Sequence, residues 1–259
     1  MNKLILPILG LFFFIACTNE KKTETTAPPK AQAQVEHLNI NRTEGDCEEE
    51  NFERKCAKIS LTYPSIKEGN ERLKKAVANW ANDFMVGLLD QSMEPDEETS
   101  LESAIQSFIE MHRETTQEMP DMMGYYTVEV TDTVLFQNEK YLTLRLDGYS
   151  FTGGAHPNSF ASIATFDLQK GKLLKTGNLV SDLEALYVLA EKKFKEERAA
   201  DFEDGFEFTE SWPFQIADNV GITEEGLFFC YVPYEVTPYA MGYTEFVIPY
   251  DDLKDILIK

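Results

Sequence analysis

Residues 125–168, YYTVEVTDTVLFQNEKYLTLRLDGYSFTGGAHPNSFASIATFDL, decide the fold class. From Tyr125 the apolar period is two: Tyr126, Val128, Val130, Val134 and Phe136 alternate with polar residues. Asn138-Glu139 turns the chain, and Leu142, Leu144 and Leu146 alternate again, which predicts an antiparallel hairpin. A glycine-rich loop, Ser150 to Asn158, follows. Strand-like residues resume from Ser159 to Leu168 and end at a Lys170-Gly171 turn.

Upstream, a strand is expected from Ala57 to Tyr63, with Pro64 ending regular pairing. The period then becomes helical. Leu73, Val77, Trp80, Phe84 and Leu88 recur at spacings of four, three, four and four, one apolar face of a helix over about 70–89. Thr99-Ser100-Leu101-Glu102 has capping-box spacing and opens a second helix carrying Leu101, Ile105, Phe108 and His112 on one side. His112 reads as a half-buried packing residue. Downstream, Ser181-Asp182-Leu183-Glu184 is another capping box, with Leu183, Leu186, Ala190 and Phe194 on the core side. Further strands are expected over 214–217, 220–223, 227–236 and 243–249, and a short closing helix over 251–258. Clusters of strands and helices, without regular βαβ winding, give an α+β class: two packed modules with antiparallel sheets and amphipathic helices. The expected modules are 46–155 and 156–259.

The chain has 259 residues, 43% of them hydrophobic, enough for a substantial core. Its 45 acidic residues against 24 basic ones leave a charge of −21, which argues against nucleic acid, because a binder needs a basic surface to displace counterions from phosphates. With 3 His and 4 Cys, a Cys/His-rich zinc module is excluded; no metal ligands and no cofactor are expected.

Met1-Asn2-Lys3 precedes the uncharged run LILPILGLFFFIA, which stops at Cys17. One basic residue, a short apolar stretch and a small residue form the layout of a secretory signal over 1–16. Phe14-Ile15-Ala16-Cys17 resembles the lipobox of bacterial lipoproteins, in which the cysteine is acylated and begins the mature chain. Residues 17–45 start with a polar stretch unable to build a core and are expected to be a flexible tether. The expected location is the cell envelope with membrane attachment through lipid on Cys17, at the periplasmic face of an outer membrane if the cell has one.

In an exported protein, Cys47 and Cys56 around the acidic loop CEEENFERKC read as a disulfide. Cys230 reads as a buried free thiol in a strand. The Gly153-Gly154 loop lacks every phosphate-loop signature, and no GxSxG, SxxK or HExxH occurs. His156 is either a base in an exposed loop or a residue hydrogen-bonding a turn whose two glycines take positive φ. Tyr149, Phe151, His156, Asn158 and Tyr239 are the candidate ligand contacts, since aromatics in Gly/Pro-punctuated loops make efficient contacts with proteins and sugar faces.

GGAHPN after a hairpin, the strand FDLQKGKLL, a helix, then EEGLFFCYVPYEVTPYAMG and EFVIPYDDL resemble a known pair of modules. The pair forms the extracytoplasmic part of the lysozyme-sensing anti-sigma factor of Gram-positive bacteria, and it precedes the catalytic domain of a peptidoglycan deacetylase. The resemblance spans about residues 47–258. It implies two intimately packed parts with the GGAH loop at their seam, no intrinsic catalysis, and lysozyme as one kind of ligand. The chain differs in carrying a lipobox in place of a transmembrane segment and no cytoplasmic sigma-binding part. The function expected is a lipid-anchored, non-catalytic envelope protein that binds a basic protein such as lysozyme, or peptidoglycan glycan. The alternatives are an envelope hydrolase or deacetylase using His156, and a structural envelope lipoprotein.

Overall fold

The structure, a computed structural model, describes residues 33–47, 55–90, 99–120 and 124–258. The expected signal segment and Cys17 lie outside them. The fold is α+β, with one six-stranded sheet, one three-stranded sheet and helices on their faces.

The central hairpin is β3 (Tyr125–Gln137) and β4 (Tyr141–Thr152), antiparallel as the alternation requires. β5 (Asn158–Asp167) pairs antiparallel with β4, and the short β6 (Lys172–Leu174) pairs with the end of β5. β2 (Cys56–Glu68) lies parallel to β3 over Cys56–Leu61. The crossover that a parallel pair needs is supplied by α1 (Glu71–Leu89) and α2 (Leu101–Glu118). Pro64 does not end β2: it faces His37 in the β1–β2 register, beyond the point where β3 leaves, so its missing N–H deprives no third strand.

The sheet begins with β1 (Gln34–Gly45), antiparallel to β2 along its whole length. The flexible tether expected over 17–45 is therefore a strand from residue 34 onward. Only Val35, Leu38 and Ile40 are apolar in it, so no period betrays it. It is held by the backbone ladder and by polar rungs such as Thr62 Oγ1 donating to Asn39 Oδ1 at 2.8 Å.

One face of the sheet is covered by α1. Leu73, Val77 and Leu88 are buried on the helix, as the spacing predicts, but the buried stripe between them is Ala81 and Met85, and the expected Trp80 and Phe84 are only partly covered at its side. Gly148 on β4 lets the helix approach, because a Cβ there would sit 2.5 Å from the Leu88 side chain. His112, on α2, is buried more fully than expected; its Nε2 lies 2.8 Å from the Gly124 carbonyl and its ring meets Tyr126 edge-on. The helix caps sit one residue later than the boxes suggest. Ser100 accepts from Ser103 N–H, and Asp182 accepts from Ala185 N–H. Ser181 is diverted, with its N–H and hydroxyl both donating to the Ile256 carbonyl.

The second sheet is β7 (Asn219–Ile222), β8 (Gly226–Tyr231) and β9 (Thr244–Pro249). α3 (Leu183–Glu197) packs on it through Leu186, Ala190 and Phe194. Leu183 does not join them: at helix position one it remains 48% exposed. α4 (Ala199–Glu203) follows directly, and α5 (Tyr250–Leu253) is shorter than the expected closing helix, because Leu257 forms a β-bridge with Val180 instead. The strand expected over 214–217 is irregular chain, and β8 stops at Tyr231 rather than 236.

β7 seats the second sheet on the other face of the first. A Cβ on Gly221 would lie 2.7 Å from Ile163 and 2.8 Å from Thr143, so glycine permits the approach. Ile163 N–H donates to Asn219 Oδ1 (2.9 Å), and Ile222 N–H donates to Thr165 Oγ1 (3.0 Å). The boundary expected between 155 and 156 thus falls inside the large sheet, which β5 and β6 carry on to Leu174.

Cys47 and Cys56 are disulfide-bonded, joining the end of β1 to the start of β2. Replacing both with Ser releases a short loop in the unfolded chain and is expected to cost about 2–3 kcal/mol, read as a lowered denaturant midpoint with a slope that does not fall, since the unfolded chain can only expand.

Candidate functional site

The junction of the two halves holds a cleft of about 740 Å³. Its floor is β5 from Ala161 to Ala164. Trp80 and Phe84 of α1 form one wall; Ile216, Val220, Val232 and Glu235 from the second half form the other. Leu174 to Gly177, from the end of β6 onward, close one end, with Leu183 at the rim. Trp80 is oriented by its indole N–H, which donates to Ser162 Oγ at 2.8 Å.

The turn after β8 links this cleft to a row of aromatic rings. Tyr234 is the one non-glycine among the described residues at positive φ (72°), and it is 52% exposed. A bulky residue in that region costs about 1–2 kcal/mol and persists only where its surroundings impose it. Here Tyr234 N–H donates to the Thr237 carbonyl (3.0 Å), and the Glu235 carboxylate accepts from the N–H groups of Asp218 (2.8 Å) and Val232 (3.0 Å). Burial raises the Glu235 pKa above the usual carboxylate range, against the opposing pull of those two N–H groups.

Tyr234 stands between Trp212 and Tyr239. Trp212 and Tyr234 lie 6.1 Å apart at 23°, Tyr234 and Tyr239 5.6 Å apart at 31°, and Tyr239 and His156 4.0 Å apart at 21°. The row crosses from the second half to the glycine-rich loop of the first. Both rings at that end converge on one acceptor: Tyr239 Oη donates to the Pro157 carbonyl at 2.9 Å, and His156 Nδ1 lies 2.9 Å from the same oxygen. Gly153 takes positive φ (82°) as expected, whereas Gly154 does not. Arg198, at the end of α3, clamps the other side of the turn: its guanidinium donates to the carbonyls of Met241 and Tyr243 and to Thr244 Oγ1.

Beneath the junction, Arg145 on β4 pairs with Asp147 (2.7 Å) and with Glu245 of β9 (2.8 Å). Burial alone would lower the Arg145 pKa, but the two carboxylates carry it above its ordinary value. Cys230 donates to Glu245 Oε1 at 3.4 Å; burial, with Glu245 adding to it, pushes its thiol well above the usual range. Because the thiolate is the nucleophile, the Cys230 peptide is expected to remain unalkylated by iodoacetamide at pH 8 in the native chain and to label on unfolding, as read by mass spectrometry.

The structure divides the sequence-based candidates. His156 and Tyr239 meet, with exposed Asn158 opening β5 beside them. Phe151 does not join them: it is 6% exposed and packs with Cys56 and Tyr125, with Tyr149 and Cys47 against the same cluster. Its role is to cover the disulfide. Trp212 and Tyr234 escaped the sequence reading, and Trp80 was read only as part of the apolar face of a helix. Trp212 had a signal, since SWPF places a large aromatic before proline in a polar stretch. The positive φ of Tyr234 had none.

Two family models match along the chain. Residues 50–159 match the model described as "Deacetylase PdaC", and residues 172–251 match "Protein of unknown function (DUF3298)". The tandem-module resemblance holds. The PdaC-like and DUF3298-like stretches leave residues 160–171 between them, so the cleft floor on β5 is the junction itself. A DUF3298 family protein from Pseudomonas aeruginosa PAO1 superposes with a TM-score of 0.67 at 20% identity, over 88% of this chain and 96% of that one. A DUF3298 family member from Bacteroides fragilis NCTC 9343 gives 0.65 at 17% identity, over 90% and 96%. At these identities the likeness is one of fold. No curated protein matches the chain.

Proposed function

We propose that the chain is a non-catalytic binding module of the cell envelope, tethered through lipid on Cys17, and that its ligand seat is the junction between the two modules. The observation that supports this best is the row Trp212–Tyr234–Tyr239–His156, built from both modules, with Tyr234 half-exposed at positive φ in its middle. The ligand assigned first is a protein, and a basic one such as lysozyme suits a chain of charge −21. A sugar stacks on an open ring face, whereas here neighbouring rings lie against one another. The hydrolase or deacetylase reading needs His156 to work on a nucleophile or be oriented by a carboxylate; the partners of its ring are the Pro157 carbonyl and the Tyr239 ring.

Titration of the full chain in detergent with lysozyme, and separately with soluble peptidoglycan fragments, tests the proposal. Binding of lysozyme is expected to weaken at least tenfold in a Trp212→Ala/Tyr234→Ala variant, since exposed aromatic anchors of this type carry about 2 kcal/mol or more. Binding of fragments alone would move the assignment to glycan. Binding of neither would overturn it, as would turnover of the fragments that disappears in His156→Ala.

A further inference from the structure

Before β6 begins, the outer edge of β5 has no strand paired to it among the described residues. Its pairing with β4 is continuous from Asn158 to Asp167, but β6 covers only Thr165 to Asp167 on the other side. The register fixes which groups face out. Leu168 N–H donates to the Lys140 carbonyl on the β4 side, whereas Ile163 N–H points away to Asn219 Oδ1. Backbone groups alternate along a strand, so Ser159 and Ala161 turn their N–H and C=O away from β4. Thr165 is taken up by β6 and the Ile163 N–H by Asn219; Ser159 and Ala161 have no strand to bond.

Edge strands are normally blunted by charges, proline or bulges. The opposite edge, β1, follows that rule with Glu36, Arg42 and Glu44. Residues 158–163, NSFASI, contain no charge and no proline. From Ala161 onward the edge is shielded instead by recess: it lies at the bottom of the cleft, between the Trp80 and Phe84 wall and the Ile216 and Val220 wall, with Ser159 just beyond the lining.

We infer that the cleft binds an extended polypeptide segment by strand addition to β5, which deepens the binding role proposed above and rests on it. Backbone pairing with Ser159 and Ala161 supplies the recognition; about six residues of strand, roughly 20 Å, reach from the end of β6 to the His156 loop. Alternate side chains of the segment meet one apolar wall or the other, so it carries small or branched apolar residues on both faces. Basic flanks complement the acidity of the chain.

Selection of a random dodecapeptide display library on the immobilised full chain tests this. Enriched peptides are expected to be apolar over four to six residues with basic ends. They should lose at least tenfold affinity for Ala161→Pro, which deletes an outward N–H while leaving the β4 ladder intact. They should lose as much when alternate backbone nitrogens of the peptide are methylated, a test on the unaltered chain that stands even if Ala161→Pro does not fold. Amide exchange of Ser159 and Ala161 is expected to be fast in the free chain and slowed by the peptide. No enrichment, insensitivity to backbone methylation, or Ser159 and Ala161 already protected in the free chain would overturn strand addition. Peptides lost to Tyr234→Ala but indifferent to backbone methylation would leave the binding module standing and remove this mode.

Discussion

Phe194→Ala is expected to lower the stability of the chain by about 3–5 kcal/mol, the range for truncating a fully buried aromatic. Phe194 is wholly buried under α3, with its ring 5.0 Å from Tyr231, 5.6 Å from Phe208 and 5.7 Å from Phe214. Those three belong to a strand and to the irregular stretch before β7, so no single element can close the void. The stretch also carries Trp212. Weakened ligand binding is therefore expected alongside the drop in denaturant midpoint, whereas Phe108→Ala, in the core under the large sheet, should destabilise with less effect on the aromatic row. Equal loss of binding in both variants at matched stability would contradict this division of labour.

Arg145→Met is expected to cost about 2–3 kcal/mol, below the full penalty for breaking a buried pair because Asp147 and Glu245 each keep one side to water. The substitution leaves two carboxylates from different sheets facing each other, with Cys230 still donating to one of them. Adding Glu245→Gln should recover part of the loss, a coupling of at least about 0.5 kcal/mol in a double-mutant cycle. Strict additivity would show that the loss at Arg145 does not run through its pairing with Glu245. The expected coupling also explains how the two halves hold register, since this ion cluster joins β4 to β9 directly beneath the cleft.

Elements made by short-range period were legible. The β3–β4 hairpin, α1, α2 and the Cys47–Cys56 bridge follow from spacing, because each is decided by neighbours within a turn or a hairpin. The caps of α2 and α3 slipped by one residue where two cap-competent side chains adjoin and tertiary bonding chose between them. β1 left no trace, since a polar edge strand has no face to bury.

Hydrophobic period and covalent chemistry act locally, and they suffice for an α+β chain with an amphipathic helix, a central hairpin and a stapled loop. Which rings meet depends on contacts between distant segments. Residues 156, 212, 234 and 239 become one row only when β7 lays the second sheet on the first, and Phe151 lost its exposure when the disulfide packed on it. Period two tells which side chains share a face of a strand; it cannot tell which face is covered, or which edge is left open, and the cleft is built from both.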